Sequence, residues 1–352
     1  MAYTDIDKPE DYFNTKLYTG TGATQSITGV GFQPDLLWIR NRFNSGRTAR
    51  AIDSVRGVGK LLNIAGSADE DTQADTVTSF DSDGFSLGAD SSEYGVNDNT
   101  GSHVAWSWKA GTSFTNDASA TGIGNIDSTG SVNTDAGFSV ISYTGDANAD
   151  NTVAHGLGSV PKMIILKNRS ISSNWMVYHA STGAQAPLFL NLTNAAGSGD
   201  PDRFKVVPTS SVFTPGTAQE GNGNGNSIIA YCFAEKQGYS KFGSYTGNDN
   251  ADGTFVYTGF APAWVMIKRT NSVNDWLILD TKRNPINPSN ERILANTNAA
   301  ASTANTMVDF LSNGFKPRST YGGINGDSDN FIYMAFAESP LVNSNGIPNN
   351  AQ

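Results

Sequence analysis

The sequence predicts an all-β protein of three tandem β-sandwich modules, jelly-roll-like, descended from one internal repeat. Three observations carry this. One pattern recurs: Tyr18-Thr19-Gly20, Tyr143-Thr144-Gly145 and Tyr245-Thr246-Gly247 each open a copy. Each continues through a proline and an apolar run to a base, Pro34 to Arg40, Pro161 to Lys167 and Pro262 to Lys268. Each closes on an aromatic-rich strand, 104–108, 229–233 and 332–336. Repetition at this period marks a duplicated structural unit. Second, no long segment carries apolar residues at i, i+3, i+4 and i+7 with a cap, so helices are scarce. Third, short apolar runs alternate with Gly, Ser, Asn and Asp, as strands do with turns.

In order along the chain, residues 1–16 form an N-terminal arm whose Tyr12 and Phe13 dock by burying their rings. Repeat one spans 17–111. Its segment 26–30 alternates like a half-buried strand, and Leu36 to Ile39 is short and continuously apolar, as in a strand covered on both faces. Pro34 suits a strand entrance, where its missing N–H costs least. Residues 76–80 and 85–87 form a hairpin, with Asp83-Gly84 supplying positive φ angles in its turn. Residues 112–131, rich in Ser, Thr, Gly, Asn and Asp, form a linker. Repeat two spans 132–238 and repeat three 239–339. Their short junction holds those two close, and repeat one has the longer tether. Residues 340–352 form a polar C-terminal tail. The closing strands supply large rings to fill a thin two-sheet core.

The chain has 352 residues, only 16% of them charged, with a formal net charge of −10. That charge, with no basic run, argues against nucleic acid as a partner. No apolar run reaches the ~18–20 residues of a membrane span, and the N-terminus lacks the pattern of a signal peptide. A single cysteine, Cys232, excludes an internal disulfide and alternates with alanines as a buried residue does.

No catalytic residues stand out. Asp53 and Asp280 precede Arg56 and Arg283 by three residues, which reads as a local ion pair. The second copy has His179 there and no matching base. Nothing singles out the carboxylate pair of a glycosidase. An asparagine follows a short apolar strand in each copy, Asn63, Asn191 and Asn296, and reads as a turn residue. Three polar loops precede the closing strands, and loops on a rigid scaffold are where recognition usually sits. Tyr94, Asn97, Asn224, Tyr321 and Asn325 are their candidate ligand contacts. No cofactor or metal site is expected. Among the oxygen-rich turns, Asp249 with Asp252 is the minority choice for calcium, which favours such ligands.

The chain resembles a repeated β module of tailed-phage virion proteins, especially tail-fibre-like and structural proteins of marine phages. The matching stretches are 31–34 with the strand after it, 134–145, 155–165, 229–235 and 333–338, and the opening 1–20 looks similar too. The resemblance implies a non-enzymatic virion protein made in the host cytoplasm. It would be a tail fibre or spike that engages a host surface glycan or protein, or else a decoration or cement protein docked through Tyr12 and Phe13. A polysaccharide-degrading spike is the third reading. It also implies contacts with other virion proteins and a homotrimer.

Overall fold

The computed structural model describes residues 3–92 and 94–349. The chain is all-β, and its antiparallel sheets pair into three sandwich-like units. Each unit's main sheet has the same strand order. In the first, the opening strand Phe13–Thr19 pairs with the closing strand Ser102–Trp108. That strand pairs with Leu36–Asn41, followed by Arg50–Asp53 and Lys60–Asn63. The second repeats this with Phe138–Thr144, Ser227–Ala234, Pro161–Asn168, Met176–His179 and Leu188–Phe189. The third repeats it with Ser240–Thr246, Asn330–Pro340, Phe260–Arg269, Trp276–Asp280 and Ile293–Leu294.

A small sheet covers one face of each main sheet. It comprises Gln25–Thr28, Gly84–Leu87 and Val77–Asp81 in the first unit, and Val153–Ala154 with Val212–Phe213 in the second. In the third it comprises Val256–Tyr257, Gly314–Pro317 and Val308–Leu311. The hairpin at 77–87 turns at Ser82-Asp83, and of the expected pair only Gly84 has positive φ, at 149°. Gly84 is needed for a second reason as well. A Cβ on it would lie 1.9 Å from the Ile27 carbonyl oxygen of the adjoining strand. The proline expectation also needs refinement. Pro34 precedes its strand and Pro161 opens its own, as expected, but Pro262 lies inside its strand, beside register shifts that accommodate a missing N–H.

Most rings of the closing strands do not fill thin two-sheet cores; Phe331 and Tyr333 of the third unit are the exceptions. Because alternate residues of a strand face opposite ways, each closing strand divides its side chains between two cores. Ala105, Ala230 with Cys232, and Ala335 face the sandwich interiors of their own units. Trp106 and Trp108, Tyr231 and Phe233, and Met334 and Phe336 face the other way, into one core shared by all three units. At its centre Trp108, Phe233 and Phe336 form a triangle with centroid separations of 6.4, 6.2 and 5.9 Å. This near-equilateral arrangement marks a pseudo-threefold axis inside a single chain. The continuous apolar runs follow from it, since the proline strand is covered on one face by its own small sheet and on the other by the shared core.

Residues 112–131, expected as a linker, largely join the second sheet. Thr112–Asn116 pairs with Ser128–Asn133, which pairs with the opening strand of that unit. The first unit is therefore held as closely as the other two.

Candidate functional site

The loops before the closing strands are fastened by a repeated device. Asn97, Asn222 and Asn325 are fully buried. The Asn97 amide donates to the Ala23 and Gly88 carbonyls, and its oxygen accepts from Thr21 N–H. Asn222 donates to the carbonyls of Asn148 and Gly216 and accepts from Asp146 N–H. Asn325 donates to the carbonyls of Asn250 and Ser319 and accepts from Asn248 N–H. Asn97 and Asn325, expected at loop tips, therefore spend their amides on backbone. Asn224 is exposed, and the structural counterpart of the other two is Asn222. Tyr94 and Tyr321 are half-buried, each with an arginine over its ring, Arg50 at 5.0 Å and Arg292 at 4.8 Å. Asp249 is exposed. Asp252 is neutralised by Lys316 at 2.6 Å and Arg318 at 3.1 Å, which competes with a cation.

Phe13 is buried in the shared core, stacked on Phe336 at 4.7 Å, and Tyr12 packs against Tyr239. The arm docks on the third unit of its own chain. Tyr3 OH donates to the Gly259 carbonyl and Thr4 OH to that of Gln237. Asp7 accepts from Ser344 N–H, which ties the arm to the tail.

The seams between units repeat in cyclic order. The base ending each proline strand is buried and reaches into the loop after the fifth strand of the preceding unit. Lys167 donates to the Ser67 carbonyl, Lys268 to that of Thr193, and Arg40 to those of Thr297 and Ala299. Burial pushes both lysine pKa values down to about 8. A backbone bond accompanies each clasp, from Glu70 N–H to Arg169, Ala196 N–H to Thr270, and Ala301 N–H to Arg42. The recurrent asparagines shape the clasped loops. Asn191 and Asn296 accept from the Trp175 and Trp276 N–H groups, and Asn63 accepts from Ala65 N–H.

Two seams also carry buried ion networks. Between units one and two, Arg56 meets Asp53 and Glu70, Glu70 meets Arg169, and Tyr231 OH donates to Asp53 at 2.7 Å. Between units three and one, Arg283 meets Asp280 and Arg42 meets Glu291. There Trp106 Nε1–H donates to Asp280 at 3.0 Å. The seam between units two and three has neutral groups at the matching positions. His179 replaces the aspartate, Thr182 the first arginine and Thr270 the second. The facing position explains the swap. Trp106 and Tyr231 are donors, but their counterpart Met334 is not, so a buried carboxylate there would go unpaired. His179 Nδ1 accepts from Ser181 N–H at 3.1 Å, which leaves its proton on Nε2, 3.2 Å from the Tyr333 carbonyl. Burial lowers its pKa from 6.5 to about 4.

Clefts open at two seams. A cleft of about 340 Å³ between units one and three is charged, with Glu10, Lys282 and Glu338 in its walls. A larger one of about 540 Å³ lies on the neutral seam and is lined by hydroxyl, amide and apolar groups. Among the described residues, no group of three or more His, Cys, Asp and Glu could hold a metal ion. No helix among them is long and apolar enough to cross a membrane.

No curated protein and no solved structure matches this chain. A family described as a domain of unknown function (DUF7483) matches residues 8–340, a span from the arm to the last closing strand. All three units and the axis between them lie inside that span, and the chain belongs to the DUF7483 family.

Proposed function

We propose that the chain is a non-enzymatic virion protein of a tailed phage, a tail-fibre- or spike-like appendage that engages the host cell surface. Besides the resemblance of its repeats to phage virion modules, one observation supports this most. Three sandwiches are locked about one axis by a shared core, and each presents its clamped loop at an equivalent place. A rigid body with three such faces suits attachment through several weak contacts, because linked sites raise effective concentration. The cement reading loses its motivating feature, since Tyr12 and Phe13 are engaged within the chain. Asp53 and Asp280 are each locked to an arginine with no exposure, which suits structure rather than glycoside hydrolysis.

The expected homotrimer would bring three copies round an axis, and this chain already brings three units round one. One chain is therefore taken as the working unit. Sedimentation at high concentration should give a mass near 37.3 kDa; a threefold mass would restore the homotrimer. Mass spectrometry of purified particles, with cell binding by labelled particles and labelled chain, tests the role itself. Absence from the particle would end the virion reading. Presence without any binding to host cells would remove the attachment role.

A further inference from the structure

We propose that the cleft between the second and third units binds a neutral saccharide. The proposal rests on the host-surface reading above and gives that reading a place and a ligand class.

The chain contains its own control. At the first seam, Arg56, Glu70 and Arg169 fill the space between neighbouring units. The bond from Glu70 N–H to the Arg169 carbonyl has its counterpart in Ala196 N–H to Thr270, and Thr182 stands where Arg56 does. All three replacements, Thr182, Ala196 and Thr270, line the cleft. Short side chains at these three positions open about 540 Å³ where ion pairs close the equivalent region. That volume falls within the usual range for small-ligand sites.

The lining determines the ligand class. No charged side chain borders the cleft, so neither an anion nor a cation finds a partner. Ser181, Ser198 and Ser244 are exposed along its walls. Each hydroxyl can donate and accept, which matches the mixed hydrogen bonding of sugar hydroxyls. The half-buried Ala186 and Ala196 add apolar surface for the C–H faces of a sugar ring. The overall charge of −10 disfavours an acidic glycan further.

The test uses the full chain with a microarray of neutral oligosaccharides. Maltotriose, cellotriose, lactose and N,N′-diacetylchitobiose would then be measured by saturation-transfer NMR, with sialyllactose as the charged control. Two variants block the cleft. T182R/A196E/T270R rebuilds the ion network of the first seam, and Ser244→Trp fills the space from an exposed strand position. We expect at least one neutral saccharide to bind the unmodified chain and both folded variants to bind it roughly tenfold more weakly or worse, a change of about 1.4 kcal/mol. No binding by any neutral saccharide, equal binding by Ser244→Trp, or preference for sialyllactose over lactose overturns the proposal. Host-cell adhesion measured alongside separates the two readings. Adhesion by a chain that binds no neutral saccharide leaves attachment standing and removes the cleft. Saccharide binding without adhesion does the reverse.

Discussion

Placing an aspartate at position 179 tests the seam logic directly. His179→Asp gives the second unit the residue its two counterparts carry, so a reading based on the repeat alone would find it harmless. Seam geometry gives the opposite result. Asp53 has Arg56 at 2.5 Å and Tyr231 OH at 2.7 Å. Asp280 has Arg283 at 2.5 Å and Trp106 Nε1 at 3.0 Å. Position 179 has Thr182 three residues on and Met334 at the place equivalent to Tyr231 and Trp106, and its ring nitrogen lies 3.2 Å from the Tyr333 carbonyl oxygen, which would repel a carboxylate. The site is fully buried. Leaving a buried charge without its partner typically costs about 3–5 kcal/mol. Urea denaturation at pH 7, followed by tryptophan fluorescence, should show a loss of that size. Acidification should narrow the deficit, because burial raises the carboxyl pKa and protonation removes the unpaired charge. The triple variant H179D/T182R/M334Y should recover most of the loss by supplying both missing donors. A single variant as stable as the parent, or a triple variant no better than the single, would refute this account.

Further expectations follow from the same geometry. His155 and His179 are both held neutral, with pKa values near 4 against 6.5 unfolded. Each therefore contributes stability that is complete above pH 6.5 and lost as pH falls through 4, about 3 kcal/mol apiece. Urea midpoints should decline over that window, less steeply in His179→Gln. Lys268→Met leaves the Thr193 and Asn274 carbonyls without their donor and should lower stability by about 1–3 kcal/mol in the same assay. Trp108→Ala opens the centre of the shared core and should cost about 3–5 kcal/mol. Calorimetry should still give one transition, since the triangle joins all three units; a separate early transition for the first unit would contradict a shared core. The third unit expressed alone, residues 239–340, should not fold stably, because Trp264, Met334 and Phe336 would face water. A sharp, dispersed NMR spectrum from that fragment would count against the design described.

The repeat, the strand positions and the ion pairs Asp53–Arg56 and Asp280–Arg283 were legible because they are local. They depend on spacing, alternation and turn chemistry within a few residues. Other signals are present in the sequence but do not name what they meet. Leu36 to Ile39 reads as covered on both faces, and Arg40, Lys167 and Lys268 recur at one position, yet neither feature names its partner. In the sequence Asn224 aligns with Asn97 and Asn325 because the loops differ in length, and only hydrogen bonding identifies Asn222 as their match.

The sequence by itself determined three copies of one antiparallel unit, because period-two alternation and turn residues specify strands without long-range information. Tertiary structure alone decided that the aromatic face of each sheet turns toward a common axis. It also decided that a methionine in the third unit governs whether the second carries an aspartate or a histidine. Those choices depend on which groups meet across seams a hundred or more residues apart in the chain. Burial then fixes whether a donor, a charge or neither can be satisfied there.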